Sequence, residues 1–171
     1  MAIMLRQNPN GAARFSGLSS LCLAASVFIA VPAIAQDQPV SFKGKWHLDI
    51  AQSSGQPPFP KSISLEVTVD DGKNYASTRT IVGADGKTTI YSLHASYDGK
   101  PYQIEGAPQG QTAALTHVTN TSFQIEFRFP DNSDLKVTCT FSTDRNTVTC
   151  EGTDTDAKGI GSPTKVVWVR D

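Results

Sequence analysis

The stretch that decides the fold is residues 136–151, which read KVTCTFSTDRNTVTCE. Apolar and polar side chains alternate on both sides of a turn at 143–146, as they do in a half-buried β-hairpin. Folding about this turn pairs Cys139 with Cys150 at a non-hydrogen-bonded position, where Cα atoms approach to about 4.5 Å and a disulfide fits more easily. The bridge should lie on the apolar face of the hairpin. A redox or metal-binding role for the cysteines is the alternative, but their spacing matches no C-x-x-C motif.

The same two-residue period runs along the chain from Phe42 onward. Three Asp-Gly steps, at 71–72, 85–86 and 98–99, supply the positive-φ residue that tight hairpin turns require. We predict strands over residues 42–50, 63–69, 74–82, 88–97, 102–104, 112–118, 122–129, 136–142, 147–151 and 164–170. The segment 152–162 is expected to be a glycine-rich connection.

This number and spacing of strands predicts an all-β domain. Evenly spaced hairpins favour an up-and-down antiparallel β-barrel of about 8–10 strands, because closure removes the exposed edges of the sheet. A two-sheet sandwich is the alternative. The short, uniform turns favour the barrel.

The N-terminal segment has the features of a signal peptide. Arg6 and Arg14 precede a run of small and apolar residues over 18–34, which ends in the small-x-small sequence AIA. We therefore predict a signal peptide over 1–35, a β-barrel domain over 36–171, and a periplasmic or secreted protein. A membrane anchor is the alternative, but the apolar run is short for a span of about 20 residues.

The charges of the predicted mature domain are scattered. The whole chain has 15 basic and 16 acidic side chains, and removal of the signal peptide deletes two of the arginines. No basic stripe is present, so nucleic acid is not an expected partner. We expect no membrane span after signal cleavage. The sequence assigns no protein partner.

The start of the first strand, Phe42-x-Gly44-x-Trp46, resembles the opening G-x-W of the lipocalin and calycin barrels. The layout from 40 to 170 is also similar to a group of lipocalin-like proteins exported by bacteria. Its further motifs are PKS at 60–62, ADGK at 84–87, YDGKPY at 97–102 and GTD at 152–154. The resemblance implies a barrel with an apolar interior, with Trp46 at the closed end beneath an arginine such as Arg170. The T-D-Y signature of classical lipocalins is missing, so no particular ligand is implied.

The histidines indicate no metal site. His47 and His94 fall on polar strand faces and are expected to be solvated. His117 shares a face with Leu115, and a neutral, hydrogen-bonded interior histidine is the simplest interpretation. No spacing of metal ligands, nucleophile elbow or phosphate-binding loop occurs, so neither a metal nor a cofactor is predicted.

Polar and aromatic side chains on apolar faces are the candidates for orienting a ligand inside a hollow barrel. Arg79 is the sharpest of them, with Tyr75 and Ile81 on its own face. Because the residues around Arg79 are small and polar, the sequence does not show whether its side chain points into the barrel or toward solvent. A solvent-exposed position is favoured. The candidate ligand-binding residues are Arg79, Tyr91, Tyr97, Tyr102, His117, Phe123 and Phe127.

Three functions remain open from the sequence. The first is a barrel that binds a small hydrophobic molecule in its interior. The second is a barrel enzyme (an isomerase, cyclase or lyase) in which His117, Arg79 or a tyrosine serves as acid or base, although a fold alone warrants no activity. The third is an interaction or inhibitor protein with a filled barrel, using the loops at 52–60 and 107–111. No catalytic residue is assigned.

Overall fold

Ten strands make up the described part of the chain. The computed structural model describes residues 39–54 and 60–171. The strands are β1 (Gly44–Leu48), β2 (Ser62–Asp70), β3 (Asn74–Val82), β4 (Thr88–Ser96), β5 (Tyr102–Glu105), β6 (Thr112–Thr119), β7 (Ser122–Arg128), β8 (Asp134–Phe141), β9 (Thr147–Thr155) and β10 (Gly161–Arg170). Within these ranges, no helix has the length and apolar character needed to cross a bilayer. The predicted signal peptide and its cleavage site lie outside the described residues.

The strands form a closed antiparallel barrel. Each strand pairs with its neighbours in the chain, and β1 pairs with β10 to complete the circle. In this closing pair Trp46 lies opposite Arg170, and Leu48 lies opposite Trp168. The all-β, up-and-down barrel is therefore confirmed, and the sandwich alternative is wrong.

The expected connection at 152–162 is much shorter than the sequence indicated. β9 and β10 both extend into it and leave only 156–160 as the turn. Gly152 lies within β9, and a Cβ atom there would lie 1.9 Å from the carbonyl oxygen of Lys136. A glycine in a strand marks a close approach of two backbones. Here it allows β8 and β9 to approach each other, although in the sequence it resembles loop composition.

Aromatic side chains fill one end of the barrel, which we call the Trp46 end (Phe42, Trp46, Phe123 and Phe141). Trp46 is fully buried, and its Nε1 donates to the carbonyl oxygen of Phe42 at 2.8 Å. The ring of Phe42 lies 4.5 Å from that of Trp46 and 5.7 Å from that of Phe123, measured between centroids. The guanidinium carbon of Arg170 lies 4.2 Å from the centre of the Trp46 ring. This end of the barrel is densely packed.

The hairpin of β8 and β9 carries the disulfide. Cys139 and Cys150 are directly opposite in register, and their Cα atoms are 3.9 Å apart. The backbone N–H of Ser142 donates to the carbonyl oxygen of Thr147 at 2.9 Å and closes the four-residue turn. Both cysteines are buried inside the barrel. The predicted register and bridge are confirmed.

Candidate ligand-binding cavity

A cavity of about 110 Å³ lies in the barrel interior, above the Trp46 end. Its wall is mostly apolar, because alternate residues of each strand point inward. The apolar wall residues are Phe42, Leu65, Leu93, Ile104, Phe123, Ile125, Phe127, Leu135, Val137, Val166 and Trp168. Protein interiors usually contain few voids larger than a water molecule. This interior is therefore incompletely filled by its own side chains.

Strand β3 supplies a row of polar side chains to this apolar cavity. Tyr75, Ser77 and Arg79 occupy alternate positions on one face of the strand, and all three line the cavity. Tyr75 and Ser77 are buried. Burial raises the pKa of Tyr75 to about 12, so its hydroxyl is neutral and can donate a hydrogen bond.

Arg79 lies between two aromatic rings. Its guanidinium carbon is 5.3 Å from the centre of the Phe127 ring and 5.7 Å from that of the Tyr91 ring. Tyr91 is the direct cross-strand partner of Arg79 between β3 and β4. Both distances fall within the range of about 6 Å over which a cation is attracted to a ring face. Burial lowers the pKa of the Arg79 guanidinium, yet an arginine stays protonated in proteins.

The disulfide also belongs to the cavity wall. Cys139 and Cys150 both line the cavity, and both lie on the interior face of the hairpin. The cross-link therefore fixes the spacing of β8 and β9 at the place where they border the cavity.

A second polar cluster lies at the Trp46 end, outside the cavity wall. The hydroxyl of Tyr97 donates to Oδ1 of Asp70 at 3.0 Å, and the backbone N–H of Phe42 donates to Oδ2 of the same carboxylate. Burial raises the pKa of Asp70 and, more strongly, that of Tyr97. The ring of His117 stacks on Tyr97 at 3.9 Å, and its Nε2 lies 3.0 Å from the carbonyl oxygen of Gly72. These contacts attach the segment before β1 to the end of the barrel.

The structure divides the candidate ligand-binding residues into two groups. Arg79, Tyr91, Phe123 and Phe127 line the cavity. The other three candidates, Tyr97, Tyr102 and His117, contribute nothing to the cavity wall. The hydroxyl of Tyr102 donates to Oδ2 of Asp98 at 3.1 Å, near the surface.

The favoured exposed position of Arg79 is wrong, because its side chain faces the interior. A bulge in the pairing of β2 with β3, between Val67 and Val69, interrupts the regular register near this point. Tyr75, Ala76 and Ser77 are all buried, so burial does not alternate between the two faces along this part of β3. Sequence reasoning also missed Ser77, although its position two residues before Arg79 places it on the same face.

The remaining histidines lie on the outer surface. His47 is exposed, and its Nδ1 is 2.6 Å from Oδ1 of Asp171. His94 is exposed as well. In residues 39–54 and 60–171, no three His, Cys, Asp or Glu side chains form a group that could hold a metal ion.

Comparison with known proteins gives no family assignment. No protein-family model matches the chain, and no curated protein shows significant sequence similarity to it.

Proposed function

We propose that this protein is an exported, lipocalin-like barrel that binds a small hydrophobic molecule in its interior. The observation that carries the proposal is the mostly apolar cavity of about 110 Å³. An apolar cavity of about 150 Å³ accommodates benzene, so the scale is that of a single ring or a short chain. Pockets for drug-sized ligands measure about 300–1,000 Å³. The ligand is accordingly smaller than such molecules.

Two further observations support the export and the lipocalin-like character. A disulfide in a small barrel suggests an oxidising compartment, which agrees with the predicted signal peptide and a periplasmic or secreted location. The G-x-W motif of β1 and the packing of Arg170 over Trp46 agree with the closed end that the lipocalin resemblance implies.

Benzene titration followed by calorimetry tests the proposal. The wild-type protein should bind benzene with saturable, one-site behaviour and should melt at a higher temperature when benzene is present. Phe127→Trp enlarges a side chain of the cavity wall, so it should occupy the void and weaken benzene binding while stability is retained.

Phe129→Trp is the matched control, because Phe129 follows the same strand but lies outside the cavity wall. It should leave benzene binding unchanged. If the barrel is solid, wild-type protein binds no benzene, and Phe127→Trp loses about 1–3 kcal/mol of stability through overpacking. That pair of results would reject the ligand-binding proposal.

A further inference from the structure

The guanidinium of Arg79 has no anionic partner among the described residues. Each ion pair found there involves other side chains, and all five lie at the surface. No hydrogen bond from the Arg79 side chain to another described residue is present either. A guanidinium carries five N–H donors and one positive charge. The two aromatic rings interact with its charge but accept none of these hydrogen bonds in the way that an oxygen does.

A charge inside a barrel is unfavourable unless it is paired or hydrogen-bonded. Arg170, the other inward-facing arginine, illustrates the usual solution, because it donates to the carbonyl oxygens of Lys43 at 3.0 Å and Arg145 at 3.2 Å. Arg79 lacks such acceptors, but its side chain is only partly buried. No fully buried side-chain nitrogen of the described residues is without a partner, so the N–H groups of Arg79 reach water-accessible space that borders the cavity. The unused donors of Arg79 therefore face the cavity that the proposed function fills with a ligand.

The neighbouring groups favour an anion with a single charge. Ser77 and Tyr75 lie beside Arg79 in the β3 row, and their hydroxyls can donate to a second oxygen. The rest of the wall is apolar, and no other cationic side chain lines it. One guanidinium neutralises one negative charge, and its planar fork matches the two oxygens of a carboxylate.

We infer that the cavity binds a small monocarboxylate, whose carboxylate pairs with Arg79 and whose apolar body occupies the space between Phe127, Leu135 and Val166. This inference rests on the proposed function and adds the chemical class of its ligand. It also assigns Arg79 as the residue that selects an anion over a neutral molecule of the same shape.

Benzoate and benzamide form a matched pair of probes, since they have nearly the same size and differ in charge. Calorimetric titration of the full chain should show that benzoate binds at least about tenfold more tightly than benzamide, because hydrogen bonds to charged groups are the stronger ones. Arg79→Gln should abolish this preference, and Arg79→Lys should keep part of it. Arg128→Gln is the control: Arg128 is exposed and pairs with Glu126 on the outer surface, so its removal should leave the preference unchanged.

Benzene separates failure of this inference from failure of the proposed function. If benzene and benzamide bind at least as tightly as benzoate, the barrel is a ligand carrier and the role of Arg79 is refuted. If Arg79→Gln folds, as judged by its melting curve, and still prefers benzoate, the role of Arg79 is refuted as well. If none of the three probes binds the wild-type protein, the proposed function is refuted together with the inference.

Discussion

Trp46 connects the first strand, the last strand and the aromatic end of the barrel. It is fully buried, donates to the carbonyl oxygen of Phe42 and lies beneath Arg170. Trp46→Ala should therefore lower the free energy of unfolding by about 3–5 kcal/mol. Urea denaturation followed by circular dichroism measures this loss.

Ile160→Ala provides the comparison for Trp46→Ala, because Ile160 is a large apolar residue with 63% of its surface exposed. It should change the free energy of unfolding by less than about 0.5 kcal/mol. A loss below about 1 kcal/mol for Trp46→Ala would contradict the buried position of this side chain.

Asp70 should make stability depend on pH in the opposite sense from an exposed, hydrogen-bonded carboxylate. Burial raises its folded-state pKa above the ordinary value of 3.8, so the folded state binds the proton more tightly than the unfolded state. The stabilising contribution is then complete below the unfolded pKa and is lost as pH rises through the folded pKa. Asp70→Asn removes this titration, so the variant should gain stability relative to wild type as pH rises from below 3.8 through the raised pKa of Asp70.

The difference between wild type and Asp70→Asn should be measured by denaturant unfolding at several pH values. The exposed carboxylates Asp49, Asp71 and Asp98 accept hydrogen bonds that lower their pKa values. They lose their contribution in acid, but they are common to both proteins and cancel in the difference. A difference that stays constant, or falls with rising pH, would refute the assignment for Asp70.

For single residues, the sequence predicted which side chains point into the barrel only where apolar and polar residues alternate regularly. Phe123 and Phe127 lie in a clear apolar stripe, and both face the interior as that stripe indicates. Arg79 is surrounded by Ser77, Thr78 and Thr80, which are tolerated on either face of a sheet. Its interior position follows from regular alternation with Tyr75 and Ser77, but the small polar residues around it do not mark either face as the interior one in the sequence.

At the scale of elements, the β8–β9 hairpin is the part that the cross-link stabilises. Replacement of both Cys139 and Cys150 by Ser should lower the free energy of unfolding by about 3 kcal/mol according to the chain-entropy model for a short loop. The domain should still fold, because its other strand pairs are unaffected. Thermal and urea unfolding of oxidised wild type and of the double variant measure the change.

The adjacent pair Thr140 and Thr149 offers a control for the cysteine replacement, since they are opposite in register one step nearer the turn. Changing both to Ser leaves the disulfide intact and should affect stability far less. Free thiols at Cys139 and Cys150 in the denatured, unreduced wild-type protein would contradict the bridge.

Strand positions were predictable because most strands end at an Asp-Gly step or at a short polar turn. Gly72, Gly86 and Gly99 have φ values of 81°, 83° and 73°, as tight turns require. The boundary between β9 and β10 was missed because the glycine at 152 is demanded by the approach of β8 and β9, which the sequence of β9 alone does not reveal.

For the whole molecule, closure of the barrel depends on the last residues of the chain. A variant that ends at Val166 lacks Trp168 and Arg170, which pair with β1, and it should lose cooperative thermal unfolding. Insertion of Gly-Ser after Lys158 should be tolerated, because that turn is exposed and nothing lies within 4 Å of a Cβ at Gly159. A truncated protein that melts cooperatively near the wild-type temperature would show that closure is unnecessary.

The number and spacing of the hairpins in the sequence predicted a closed barrel. They did not predict that a cavity remains in its interior. Whether inward side chains fill a barrel depends on how ten strands are inclined and staggered, and no single strand contains that information. The apolar stripes were visible in the sequence, and the void between them was not.

The pairing of β1 with β10 also sets the order of events when the chain is made. The hairpins in between can form as soon as their own residues are available, since each involves neighbours in sequence. The first strand keeps one unpaired edge until the final strand has been synthesised, and contacts between such distant segments form slowly. The sheet therefore stays open, with one unpaired edge on its first strand, until the last strand is released.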